Sequence, residues 1–327
     1  MPNDGAIQRL AHGQHDTTII KINVGPGSLQ MFSSEYESLC VLSGAVPSIS
    51  PAPLLFSALP EHGEHAAFLA TAFVPLTSRY SRSEAQVALG RSIAKLHETV
   101  SPTGKFGFHV NTMCGSTEQD NEWMDSWEEF FGRRLRKLGQ MCQTKWGKDE
   151  DIERLIERVC DKVVPMVIGC LTDIKPVLLH GDLCESHVGT FDIGVNVNIL
   201  ILKNAHNHAH WIGSGNWGVD GNTGQPVIYD PSSYYGHNEM ELGIMKMVGG
   251  FDCGHWTAPE LCLHPSKCAY SAFYAEYHKY HPKIEPHFSE RVALYELYHL
   301  LNHWYIFGGG YKDSAAQVMR KLVQKLQ

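Results

Sequence analysis

The stretch Pro176-Val-Leu-Leu-His-Gly-Asp-Leu-Cys184 decides the fold. Its short apolar run, Val177 to Leu179, reads as a buried strand and ends in His180-Gly181-Asp182. Downstream, Pro226-Val-Ile-Tyr ends in Asp230-Pro231 in the same manner. Two strands that each deliver an aspartate at their C-terminal end match the catalytic and metal loops of phosphoryl transfer. In that arrangement Asp182 accepts the proton of the acceptor hydroxyl, and Asp230 holds Mg²⁺ on the phosphates of ATP. The pattern's next piece is an asparagine five positions after the first aspartate. Position 187 is instead His187, and the matching Ser214-Gly-Asn216-Trp-Gly218 lies far downstream. The site is recognisable but interrupted.

Working outward, Thr17-Thr-Ile-Ile-Lys21-Ile-Asn reads as a β-branched strand around one lysine, followed by the turn Gly25-Pro-Gly-Ser. Met31 to Leu42 follows as a helix with Phe32, Tyr36, Leu39 and Cys40 on one stripe and Glu35 on the opposite flank. Pro47 to Pro53 is a stiff, non-helical connection, and Phe68 to Val74 a further strand closed by Pro75. Residues 1–76 thus read as a small β-rich lobe. From Ser81 the pattern turns helical: a helix capped by Ser83, with Leu89, Ile93, Leu96 and Val100 on one face, then helices over 121–142, 151–171 and 291–307. Residues 77–327 form a larger, mainly helical lobe carrying both aspartate-ended strands. Nucleotide sites commonly sit in the cleft between two such parts.

Composition narrows the function. The 327 residues suffice for real cores, at 43% hydrophobic content. The net charge of −8 argues against nucleic acid or an anionic membrane surface as partner. Arg133-Arg134-Leu-Arg136-Lys137 reads as a solvated helix face. Nine cysteines without a CxxC pair, no apolar run of spanning length and no signal segment after Met1 imply reduced thiols and a cytoplasmic location. Trp123 and Trp127 read as core anchors at helical spacing, and His299 and His303 as satisfied packing histidines.

Several segments in order resemble the fructosamine/ketosamine-3-kinase family, a branch of the aminoglycoside-phosphotransferase-like kinases. They include Ile20-Lys21-Ile22, Met31-Phe-Ser-Ser-Glu35, Leu89-Gly-Arg-Ser-Ile-Ala-Lys-Leu-His97, Trp123-Met-Asp-Ser-Trp127, His180-Gly-Asp-Leu183, Val227-Ile-Tyr-Asp-Pro231, Tyr235-Gly-His-Asn-Glu239 and Leu294 to Tyr311. The resemblance implies an α+β, two-lobed protein-kinase-like fold and an ATP- and Mg²⁺-dependent kinase. Its substrate would be the 3-hydroxyl of a ketoamine, fructosamine or ribulosamine, free or on a glycated lysine. Phosphorylation there destabilises the adduct and restores the amine. Residue by residue, the resemblance implies that Lys21 grips the α/β-phosphates, Glu35 holds Lys21, and Ala72, Phe73 and Val74 form the nucleotide hinge. It implies Asp182 as the base, Asn216 and Asp230 as metal ligands, and His237, Glu239 and Glu241 on the substrate side.

Three departures set expectations against this. Cys184 to Gly213 separates Asp182 from Asn216 and has the look of a translated intron: Cys184-Glu-Ser can read T|GTGAGT and Ile212-Gly213 ATAG|GG, and joining the ends restores one Trp codon. Its run Val195 to Leu202 is apolar and prone to edge pairing. The segment's His206, His208 and His210, with Cys184 and His187, lack the paired second half of a structural zinc site. Only Gly5 and Gly13 stand where a glycine-rich phosphate hairpin is expected, and 253–271 reads as another insertion. These departures leave two alternatives: a catalytically impaired kinase-shaped protein, or a small-molecule kinase of the aminoglycoside or choline type.

Overall fold

The computed structural model describes residues 18–184, 199–203, 215–247 and 272–326. The expected phosphate hairpin, the histidine triplet and the 253–271 insertion lie outside them.

The first lobe is a four-stranded sheet with one helix against it. Strand β1 (Thr18–Val24) leads through a turn into α1 (Ser28–Ala45), and β2 (Pro53–Ala58) and β3 (Ala66–Ala72) follow. Strand β3 pairs antiparallel with both β1 and β2. Strand β1 alternates buried and half-buried residues, so Ile20 and Ile22 point into a small core while Lys21 projects the other way. The opposite face of β3 packs Ala67 and Leu69 on Met31, Phe32 and Leu39 of α1. Strand β2 has no clear period-2 signal in the sequence, and its half-buried edge position explains why.

The linker after β3 is tied to the second lobe by backbone bonds from Thr77 to Val219 and from Gly221 to Pro75. Helix α2 (Arg82–Leu96) follows; its cap is Ser81 rather than Ser83, with Glu84 completing a reciprocal capping box. The hairpin β4 (Thr112–Cys114) and β5 (Thr117–Gln119) precedes α3 (Trp127–Trp146). Helix α3 starts later than its hydrophobic pattern suggests, because Ser126 caps it; Trp123 therefore lies outside the helix, stacked on Tyr235. Trp127 is a core anchor whose Nε1 donates to Tyr295 Oη at 2.9 Å. Helix α4 (Glu150–Arg158) runs on through a π-helical turn to Val167. Strand β6 (Val177–Leu179) is wholly buried.

Strand β7 (Ile199–Lys203), β8 (Trp217–Val219), β9 (Pro226–Ile228) and β10 (Tyr234–Gly236) follow, then α5 (Glu241–Met247) and α6 (Ala272–Tyr277). Helices α7 (Phe288–Phe307) and α8 (Tyr311–Lys325) complete the lobe. The β7 backbone pairs parallel with β1, so part of the apolar run of the intervening segment does lie on a sheet edge, beside the Lys21 strand.

Helix α7 runs through the middle of the large core and is buried on nearly every face, Arg291 included. Arg291 survives there because Nε donates to Glu239 at 2.8 Å and Nη1 to the carbonyls of Val167 and Pro286. Arg134 departs from the expected solvated face: it is buried, donates to Gln119 and Asn121, and lies over the rings of Phe130 and Tyr234. Its neighbours Arg133, Arg136 and Lys137 stay at the surface in ion pairs with Asp120, Glu122, Glu157 and Asp161.

Candidate active site

The aspartate-bearing loop leaves β6 through Gly181, which has φ of +86°. A Cβ there would meet Ser232 O at 2.2 Å, so only glycine fits. The loop backbone is held from below. Glu241, fully buried at the start of α5, accepts from the N–H of His180 at 2.6 Å and of Gly181 at 3.0 Å. His180 links the two loops. Its Nε2 lies 3.0 Å from Tyr229 O and its Nδ1 3.3 Å from the Asp182 N–H, so Nε2 donates and Nδ1 accepts. Burial keeps its imidazole below the usual histidine range and hence neutral.

The intervening segment does not pull Asn216 away. Its Nδ2 donates to the Asp182 carbonyl at 2.7 Å and to Oδ2 at 3.2 Å. The N–H of Asn216 donates to Cys184 O at 3.0 Å, closing the segment at its base across a single hydrogen bond. The Tyr229 N–H donates to Asn216 O, which registers the asparagine against the second loop. Asn216 therefore stands beside Asp182 despite the intervening segment. A long excursion costs little if its ends are fixed together, since loop-closure entropy grows only logarithmically.

Lys21 reaches over this cluster from β1. Its Nζ bonds Glu35 Oε1 of α1 at 2.5 Å and also pairs with Asp230. Burial lowers the Lys21 ammonium, but the carboxylates of Asp230 and Glu35 outweigh it and hold the group charged. Lys21, Glu35, Asp182, Asn216 and Asp230 line one pocket between the lobes, which Ser34 and Met113 also border. Ser34 lies in the family-like segment Met31 to Glu35, whereas Met113 carries no sequence signal. Asp182 is the exceptional group there. Burial, reinforced by the charges of Asp230 and Glu241, pushes its carboxyl up to about 8, against a weaker pull from Asn216. Three acidic groups crowd one ammonium, a charge balance that favours a bound cation.

The substrate-side expectation is placed differently. His237, Glu239 and Glu241 are all buried under the loop rather than facing the pocket. His237 Nδ1 meets Tyr295 Oη at 2.9 Å, Glu239 pairs with Arg291, and Glu241 accepts from the loop backbone, while His237 Nε2 has no partner among the described residues. Their described contacts run to the loop backbone and to α7. Burial raises Glu241, but interactions with His97 and His180 overcome it, leaving the carboxyl below its ordinary range. His97 Nε2 stands 3.7 Å from its Oε2. Ala72, Phe73 and Val74 lie at the lobe junction, half-buried and outside the pocket's lining.

Comparison with known proteins settles the kinship. The profile of the fructosamine kinase family matches residues 4–199 and 209–325. The chain belongs to the fructosamine kinase family. Among its relatives are ketosamine-3-kinase of Mus musculus, 30% identical over 96% of this chain and 92% of that protein. Another is the chloroplastic protein-ribulosamine 3-kinase of Oryza sativa subsp. japonica, 31% identical over 93% of this chain and 71% of that one. Solved structures ascribed to fructosamine-3-kinases of Haemophilus somnus and Thermobifida fusca superpose with TM-scores of 0.64 and 0.63 at 20% identity. They cover 93% and 92% of this chain and 82% of each structure. The fold is accordingly the α+β, two-lobed protein-kinase-like one. No helix among the described residues is long and apolar enough to cross a membrane.

Proposed function

We propose that this chain is an ATP-dependent kinase that phosphorylates the 3-hydroxyl of ketoamines, fructosamine or ribulosamine, free or on glycated lysines. The observation that carries the reading is the convergence of Lys21, Glu35, Asp182, Asn216 and Asp230 on one pocket, in a chain of this family. The donor set suits Mg²⁺, a hard cation that prefers oxygen ligands. Asp230 offers a carboxylate, and Asn216, whose Nδ2 faces Asp182, offers its amide oxygen. Bound there with ATP, the ion supplies charge neutralisation on the phosphate oxygens.

The chain's own residues do the rest. Lys21, kept charged and aimed by Glu35, binds the phosphates. Asp182 orients the acceptor hydroxyl, and in the ionised form that a cation beside Asp230 would favour, by offsetting the charge that raises Asp182, it takes the hydroxyl's proton. Asn216 fixes the Asp182 carboxylate through Oδ2, and Glu241 fixes the backbone on which Asp182 sits. Most of the rate advantage in phosphoryl transfer comes from such positioning and charge stabilisation. We place the reaction in the cytoplasm, as deglycation repair.

The test is incubation with Mg²⁺-ATP and a ribulosamine- or fructosamine-lysine peptide, followed by mass spectrometry. A phosphate mass on the peptide that vanishes for Asp182→Asn is expected. Transfer to an aminoglycoside or choline but not to either peptide would replace the substrate class. Transfer to none of them would make the chain a binding protein.

A further inference from the structure

His299 was expected to be a satisfied packing histidine, and it is not. It lies on α7 with 1% exposure, and its Nδ1 has no hydrogen-bond partner among the described residues. His303, one turn on, does behave as expected, with Nδ1 2.9 Å from His299 O. A buried ring nitrogen left without a partner is costly, so its retention at this place calls for a reason.

Two other ligating side chains converge on it. One donor atom each of Cys114, Asp182 and His299 lie within 4.8 Å of one another. Each comes from a separately anchored element: the β4–β5 hairpin, the catalytic loop and α7. The hairpin is tied to α7 because Asn302 Nδ2 donates both to Cys114 O and to Cys114 Sγ, at 3.2 Å each. That donor is the kind of outer support that ligating sulfurs receive, but burial and then the charge of Asp182 hold the Cys114 thiol well above its ordinary range, so a bound ion must displace its proton. Burial holds the His299 imidazole down at about 3, in the neutral form that coordinates. Ligands on a tetrahedral zinc-type ion sit about 3.5 Å apart, so side-chain rotations of about 1 Å close the set around one ion.

We infer that Cys114, His299 and Asp182 form an inhibitory site for a borderline-soft divalent cation of the zinc type. Thiolate and imidazole select such an ion over Mg²⁺. Occupancy takes the Asp182 carboxylate away from the acceptor hydroxyl while leaving Lys21 and Asp230 to bind nucleotide. The site stands on its own geometry, and only its inhibitory effect rests on the proposed role of Asp182.

Two readouts keep those apart. Co²⁺ added to the full chain is expected to produce a thiolate-to-metal absorption band at one equivalent. That band is lost in Cys114→Ser and weakened in His299→Asn. In the ketoamine-kinase assay at saturating Mg²⁺-ATP, Zn²⁺ is expected to suppress turnover with the KM for ATP unchanged. Each substitution raises the Zn²⁺ concentration for half-inhibition by at least about tenfold. No band in the natural chain, or an equal band in Cys114→Ser, overturns the site. A band at Cys114 with turnover undiminished overturns the inhibition, and that result is independent of which ketoamine is the substrate.

Discussion

Replacing Asp182 by asparagine should make the protein more stable while ending transfer. The Asp182 carboxyl stands at about 8 in the folded chain against an ordinary 3.8. Folding therefore takes up a proton at every pH between those values. The sign follows: a raised carboxylate contributes full stability below 3.8, and that contribution is lost as pH rises towards 8. Each pH unit in the window costs about 1.4 kcal/mol, so the upper bound at pH 7 is about 4 kcal/mol. The side chain is only partly shielded from solvent, and screening by water brings the effect to about 1–3 kcal/mol. An asparagine keeps an oxygen to accept from Asn216 Nδ2 and removes the charge that burial, Asp230 and Glu241 oppose. Urea unfolding of both proteins in chelator, from pH 4 to pH 8, measures this. The expected gap opens with rising pH and is close to zero at pH 4. A gap independent of pH, or a less stable Asp182→Asn at pH 7, would refute the reasoning.

Other expectations follow from the same geometry. Glu241→Ala strands the N–H groups of His180 and Gly181; at about 1–3 kcal/mol each, it should lose roughly 2–5 kcal/mol of stability and depress kcat far more than the KM for ATP, as kinetics beside denaturation will show. Glu241→Gln, with one acceptor oxygen left, should fall between. Gly181→Ala combines a positive φ with a 2.2 Å approach to Ser232 O, so a loss above about 2 kcal/mol by thermal unfolding is expected. Lys21→Ala removes the ammonium that Glu35 and Asp230 hold, and should raise the KM for ATP about tenfold or more, since a charge-assisted bond is worth about 1.5–3 kcal/mol.

The parts of the site that were legible in the sequence are those where local chemistry admits few readings. An apolar run ending in His-Gly-Asp or Tyr-Asp-Pro has one common use, and a strand lysine before an amphipathic helix with Glu35 has another. The burial of Glu239 and Glu241 was not legible. Glu239 and Glu241 are charged, and charge in sequence reads as surface; burial is affordable only because Arg291 and two loop N–H groups meet them from positions distant in the chain. Arg134 misleads in the same way, its partners Gln119, Asn121 and Tyr234 coming from two other segments. The onset of α3 was misjudged because apolar periodicity continues upstream through Trp123, whereas Ser126 caps the helix. Strand β2 and helix α8 leave no clear signal in the sequence. One is a half-buried edge; the other is a helix whose apolar stripe is narrow and follows Gly308-Gly309-Gly310.

The central claim is that the segment between Asp182 and Asn216 leaves the phosphotransfer site intact, because Cys184 and Asn216 close it at the base. The most direct measurement is the turnover of a ribulosamine-lysine peptide by the full chain, beside a variant in which Cys184 to Gly213 is replaced by one tryptophan. The structure predicts turnover by both, differing by less than the roughly hundredfold that a catalytic group misplaced by about 1 Å costs, with Asn216→Ala silencing each. Turnover by the shortened variant and none by the full chain would contradict it.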